Sequence, residues 1–163
     1  MSTATSLRRL LVVTTTAGAL ALGVASAAPA GAAPPDPCTV VTADDITAAY
    51  GLGFAPGTPS SRGCDFELAD RSKLDAFAYV DTSLSKTVKA AKARMKSFRT
   101  SVTNASTVKG VGDQAVYAVI AGDVLYVRVG KVIATLQVEI LDNSGVARKQ
   151  EIITLGKAAA ATL

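Results

Sequence analysis

The sequence predicts an α+β fold: a mainly antiparallel sheet of about five strands, with helices packed on a face and one disulfide. Three observations lead there. Apolar residues recur in strand-length runs separated by short Gly-containing turns, the pattern of antiparallel hairpins. Other segments carry the three-and-four spacing of amphipathic helices. The two cysteines of the chain, Cys38 and Cys64, flank the first helix and the first strand. Strands joined by tight turns cannot be βαβ crossovers, so a parallel sheet is excluded.

The chain opens like a secretory signal peptide, expected to span residues 1–27. Arg8 and Arg9 form a positive start, residues 10–24 are an apolar run softened by Thr14, Thr15 and Thr16, and Ala25-Ser26-Ala27 is a small-x-small cleavage site. Ala30-Gly31-Ala32 offers a second cleavage site a few residues on. The apolar run is short for a membrane span, and a cleavage site follows it. Leu7 and the leucines after the Arg pair fit a twin-arginine signal poorly. Cys38 follows Pro35-Asp36-Pro37 rather than the cleavage site, so a lipid anchor is not expected. The predicted localisation is secreted, extracellular or cell-wall associated.

Removing the leader changes the charge argument. The chain has 17 basic and 13 acidic residues; without Arg8 and Arg9 the balance is 15 against 13, or +2. The basic pI of about 9.2 therefore gives no ground for a nucleic-acid partner. Export also places the cysteines in an oxidising compartment, where an even count favours a Cys38–Cys64 disulfide. The chain has no His, so neither zinc-type N/S coordination nor a Ser-His-Asp or Cys-His arrangement can be assembled. No cofactor and no metal are predicted.

Residues 28–37 read as a disordered Ala/Pro linker, and residues 38–163 as a single domain. Thr42 is placed to cap a short helix with Asp44 and Asp45 in its first turn, closed by a Val41–Ile46 staple and ended at Gly51. Residues 53–63, with Pro56 and Pro59, read as a surface loop. Residues 64–68 alternate apolar and acidic, as a half-buried strand does, and pair with the run 74–80 through the turn at Asp70-Arg71-Ser72. A helix is expected from Ser83 or Ser85 to about Phe98, with Leu84, Val88, Ala91, Met95 and Phe98 as its apolar stripe. Residues 115–120, 124–129 and 132–140 form a three-strand meander after the turn Gly110-Val111-Gly112-Asp113. Asp142, Asn143 and Ser144 offer caps for a last helix over about 146–161, which Gly156 weakens.

Candidate chemistry is sparse. Ser83-Leu84-Ser85-Lys86 matches the S-x-x-K motif of penicillin-interacting enzymes, but the companion S-D-N and K-T-G motifs are missing. Gly110-Val111-Gly112-Asp113 resembles the start of a phosphate loop, yet a strand follows it rather than a helix, so it reads as a turn. Asn104-Ala105-Ser106 is a glycosylation sequon. The feature above background is a basic stripe of Lys86, Lys89, Lys92, Lys96 and Arg99, recurring every three or four residues with no acid among them. A solvated helix face whose Lys stems cover the core edge accounts for it in one reading. In the other it is an anion-binding face.

The segment Cys38-Thr39-Val40-Val41-Thr42-Ala43-Asp44-Asp45-Ile46, then Gly51, then Cys64-Asp65-Phe66, resembles a pattern common in actinobacterial secreted proteins and lipoproteins of unknown function. There a Cys-x-Leu-Leu-Thr-like segment opens a short helix and a second Cys begins a strand. Gly110-Val111-Gly112-Asp113-Gln114-Ala115 is similar to their Gly-Leu-Gly-Asp-x-Ala turn, and residues 124–138 resemble their closing hairpin. This chain departs from them at Val40-Val41, in an aromatic-poor strand after Cys64, and in lacking a lipid-attachment Cys. The resemblance implies an α+β envelope domain, sometimes compared with extracellular sensor domains of membrane kinases. It implies no catalytic residues.

The function expected is a non-catalytic envelope domain that binds a ligand or partner, with anionic wall polymer or lipid headgroups as candidates. A small cell-wall-active hydrolase using carboxylates is the first alternative and a structural or inhibitory protein the second. Carboxylates gathered at a concave pocket would favour the hydrolase; an exposed basic or apolar patch would favour a polymer or protein partner.

Overall fold

The sheet is built around two long strands that the meander alone would not require. In the computed structural model, which describes residues 32–72, 74–141 and 147–163, β3 (Ala76–Leu84) and β7 (Val132–Ile140) pair antiparallel over their full nine residues. The other elements are α1 (Pro37–Val40), α2 (Ala43–Tyr50), β1 (Thr58–Pro59), β2 (Cys64–Glu67), α3 (Val88–Ser101), β4 (Ser106–Val108), β5 (Gln114–Ile120), β6 (Gly122–Val129) and α4 (Lys149–Thr162). The strands lie in the order β1-β2-β3-β7-β6-β5-β4, and every pairing is antiparallel. Residues Ala33–Leu163 form one compact unit. The expected leader, residues 1–27, and the expected caps Asp142, Asn143 and Ser144 lie outside the described residues.

The fold is α+β as expected, but the sheet has seven strands rather than about five. The two extra strands, β1 and β4, are edge pieces of two and three residues. Such short segments carry no readable alternation, and Pro59 removes a donor from one of them. The helices also divide between both faces. α1, α2 and α4 pack on one face, where Ile46, Ile152 and Leu155 join Phe66, Leu125, Leu136 and Val138 in the main core. α3 lies on the other, where Ala91 and Met95 meet Val116 and Ile133. Side chains alternate along a strand, so Leu125 and Tyr126 serve opposite cores.

The N-terminal elements form as their residues dictate. Thr42 accepts from the Asp45 N–H at 3.2 Å while the Asp45 carboxylate accepts from the Thr42 N–H at 2.8 Å, a reciprocal capping box. Gly51 ends α2 in the left-handed conformation at φ 70°. Ordered contacts begin before Cys38. Asp36 caps α1 by accepting from the Cys38 N–H at 3.0 Å, and the Thr82 hydroxyl donates to the Pro35 carbonyl at 2.5 Å. The Cys38–Cys64 disulfide ties α1 to β2.

α3 starts later than the spacing of its apolar residues predicts. Thr82, Ser83 and Leu84 continue β3 opposite Ala134, Ile133 and Val132, and the Thr87 hydroxyl then caps the helix at the Ala90 N–H, 3.1 Å away. Leu84 therefore belongs to the sheet, and Lys86 lies ahead of the helix. α4 starts at Lys149 without a cap from its own flank; the Asp123 carboxylate of β6 accepts from the Arg148 N–H at 2.8 Å. Gly156 is what lets α4 lie close on β6, since a Cβ there would run into Leu125.

Candidate functional site: a basic helix beside an acidic groove

α3 docks on the sheet through a narrow contact. Met95 and Ala91 are buried, and Phe98 stacks on Tyr126 with ring centroids 4.2 Å apart and planes within 11°. Burial raises the Tyr126 pKa above its ordinary 10.0. Arg94 leaves the basic stripe on the other side of this contact. Its guanidinium lies over the Phe98 ring at 5.8 Å and donates to the Ser83 hydroxyl at 3.0 Å.

At 100° per residue, Lys89, Lys92, Lys96 and Arg99 fall within an arc of about 80°, adjoining the Ala91–Met95–Phe98 stripe. All four are exposed, as is Lys86. Among the described residues none of the five enters an ion pair. The structure thus brings Lys89, Lys92, Lys96 and Arg99 onto one helical face. Lys86 is exposed in the segment that leads into the helix.

Two motifs resolve into structural roles. Ser83 is a strand residue whose hydroxyl donates to the Ile133 carbonyl at 3.3 Å and accepts from Arg94. The S-x-x-K spacing thus spans a strand end and a loop, not one helical turn, and gives no Ser–Lys geometry. Gly110-Val111-Gly112-Asp113 is a turn, as read. Gly112 has φ 52°, and a Cβ on it would approach the Arg128 carbonyl to 2.7 Å. The Asp113 carboxylate accepts from the Gly130 N–H at 2.8 Å and from Arg128 at 3.0 Å. The Gly130 hydrogen bond, then the Arg128 charge, hold the Asp113 carboxyl below its ordinary pKa of 3.8. In the sequon, Asn104 takes a positive φ of 63° and Ser106 opens β4, its hydroxyl accepting from Lys149 at 3.2 Å.

A second site escaped the sequence reading. α3 covers the half of its sheet face around Val116, Tyr126 and Ile133, and the other half lies open over β2, β3 and β7. That open half is a groove of about 390 Å³. The register places Asp65, Tyr79 and Gln137 in one cross-strand row and Glu67, Phe77 and Glu139 in the next. Phe77 is 39% exposed, and Arg62 stands over the Tyr79 ring at 5.6 Å while its carbonyl accepts from the Tyr79 hydroxyl. Desolvation, then the Asp81 charge, raise the Tyr79 pKa above its ordinary 10.0. Gln137 donates to the Ala121 carbonyl at 2.8 Å, closing the groove against the β5–β6 turn.

The alternation of residues 64–68 carried half of this signal. Its acidic positions are the groove side, and the missing half was which strand lay next to it. Among the described residues no group of three or more His, Cys, Asp or Glu side chains is placed to hold a metal ion. No helix among them is long and apolar enough to cross a membrane. Compared with known proteins, the chain matches no family model, no curated protein and no solved structure.

Proposed function

We propose that this is a secreted, envelope-associated domain without a catalytic role, which binds a polyanion through the exposed face of α3. The observation that carries the reading is the row Lys89, Lys92, Lys96 and Arg99, four exposed cations on one face with no ion pair among the described residues. Like charges so close repel one another, and a polyanion relieves that repulsion. The disulfide and the resemblance to actinobacterial envelope domains support placing the protein outside the cytoplasm, where phosphate-bearing wall polymers and lipid headgroups supply the anion.

The rival reading, a hydrolase using carboxylates, finds its best geometry in the groove. Glu67 and Glu139 flank Phe77 on neighbouring strands, about 9–10 Å apart by strand spacing. Two features weigh against it. Phe77 lies between the two residues in the register, and Arg71 already engages Glu67 at 3.4 Å.

The experiment is retention of the oxidised protein on phosphatidylglycerol vesicles and, separately, on an immobilised poly(glycerol phosphate), each at low salt. Binding to both that weakens with salt identifies phosphate chemistry, and binding to one identifies its source. Retention on neither, or retention unchanged in Lys89→Glu/Lys96→Glu, contradicts the proposal.

A further inference from the structure

The basic helix and the acidic groove occupy the two halves of one sheet face. α3 rises from that face over β5, β6 and the start of β7, while the groove sinks into it over β2, β3 and the end of β7. A helix with its side chains is about 10 Å thick, so the face is a step: a ridge beside a trough. The ridge carries Lys89, Lys92, Lys96 and Arg99. The trough carries Asp65, Glu67 and Glu139 around the exposed ring of Phe77, with Asp81 on the same face towards the helix; Arg62 over the Tyr79 ring is the cation that lines it and Arg71 reaches Glu67 from its rim, so the acids stay in excess.

We infer that a second copy of this chain covers the groove, α3 of each protomer lying in the trough of the other. A two-fold axis parallel to the sheet, running along the border between ridge and trough, places each helix opposite the other protomer's groove. Both contacts form at once and the assembly closes as a dimer, because one surface patch holds both complementary halves. Charge complements charge at each contact, and the dimer covers Phe77 with the aliphatic stems of the lysines. The contacts are rich in exposed charge, so the dimer is salt-sensitive rather than obligate. The inference does not depend on polyanion binding, although the two uses of α3 exclude one another, so a polyanion that takes the helix dissociates the dimer.

The test is a charge exchange read by sedimentation velocity on the intact oxidised protein, with folding of each variant checked by circular dichroism. At 50 mM NaCl and about 100 μM protein, the wild type is expected to sediment as a dimer, with its dissociation constant about tenfold or more weaker at 300 mM. Lys89→Glu/Lys92→Glu/Lys96→Glu leaves only Arg99 against three acids on the helix face and so has two acidic surfaces, and Glu67→Lys/Glu139→Lys has two basic ones. Each alone is expected to be monomeric, and an equimolar mixture of the two is expected to form the heterodimer. A monomeric wild type, variants that still self-associate, or a mixture that stays monomeric overturns the inference. Loss of the dimer with vesicle retention intact would leave the proposed function standing, and the reverse outcome would leave the dimer standing.

Discussion

The guanidinium of Arg128 and the carboxylate of Asp113 meet at 3.0 Å, and this pair joins the turn before β5 to the turn between β6 and β7. Arg128 is almost wholly buried and also donates to the Gly130 carbonyl at 2.9 Å, while the Asp113 N–H donates to the Arg128 carbonyl at 2.8 Å. Two tight turns are thereby latched at one end of the sheet. Removing the carboxylate strands a buried charge, so Asp113→Asn is expected to lower the melting temperature and Asp113→Ala to lower it further.

The same carboxylate sets a pH dependence whose sign is fixed. Its folded pKa lies below the ordinary 3.8, so the unfolded chain binds the proton more tightly. The stabilisation is complete above that ordinary value and is lost as the pH falls through the folded pKa. Denaturant melts between pH 6 and pH 2 are expected to show this loss in the wild type and a shallower acid limb in Asp113→Asn. Identical acid limbs would remove Asp113 from the account.

Two buried tyrosines are expected to differ. The Tyr117 hydroxyl donates to the Asp123 carboxylate at 2.6 Å, whose second oxygen caps α4. The Tyr50 hydroxyl is buried with no hydrogen-bond partner among the described residues, and desolvation pushes its pKa far up. Tyr117→Phe should cost about 1–2 kcal/mol, because it deprives a buried carboxylate, whereas Tyr50→Phe should be about neutral or stabilising. Equal costs from urea melts would contradict this assignment.

Two glycines are predicted to resist alanine for steric reasons. A Cβ at Gly57 would lie 2.5 Å from the Cys64 sulfur and 2.6 Å from the Phe66 ring, and one at Gly156 would meet Leu125. In an open helix Gly156→Ala would gain up to about 1 kcal/mol. Here overpacking against β6 is expected to reverse the sign, to a net loss of about 1–3 kcal/mol. Thermal melts decide between the two signs.

Opening the Cys38–Cys64 bridge releases a segment spanning 26 positions, and Cys38→Ser/Cys64→Ser should lose about 3 kcal/mol on the chain-entropy account. Thiol titration of the native protein should find no free thiol, and two titratable thiols would contradict the bridge.

How much of this was legible follows from the physics of each signal. Thr42, Asp45 and Gly51 marked α2 because capping is local: residues three apart satisfy one another whatever the rest of the chain does. The meander was legible because its turns and its alternation agree. The start of α3 was not. Thr82, Ser83 and Leu84 fit a strand or a helix start equally well in isolation, and pairing with Val132, Ile133 and Ala134 decided between them. Gly156 read as a blemish in a helix because the side chain it avoids, Leu125, is remote in sequence. The basic face could be read from spacing within one helix. The groove could not, because Asp65, Phe77 and Glu139 become neighbours through strand pairings that the sequence does not spell out.

The most direct test of the central claim is the salt dependence of binding to phosphatidylglycerol vesicles, measured side by side for the wild type and Lys89→Glu/Lys96→Glu. The wild type is expected to bind at low ionic strength and to release as salt rises, and the variant to stay unbound at every salt concentration although it melts like the wild type. Wild-type binding that ignores salt, or a variant that binds as well as the wild type, would contradict it.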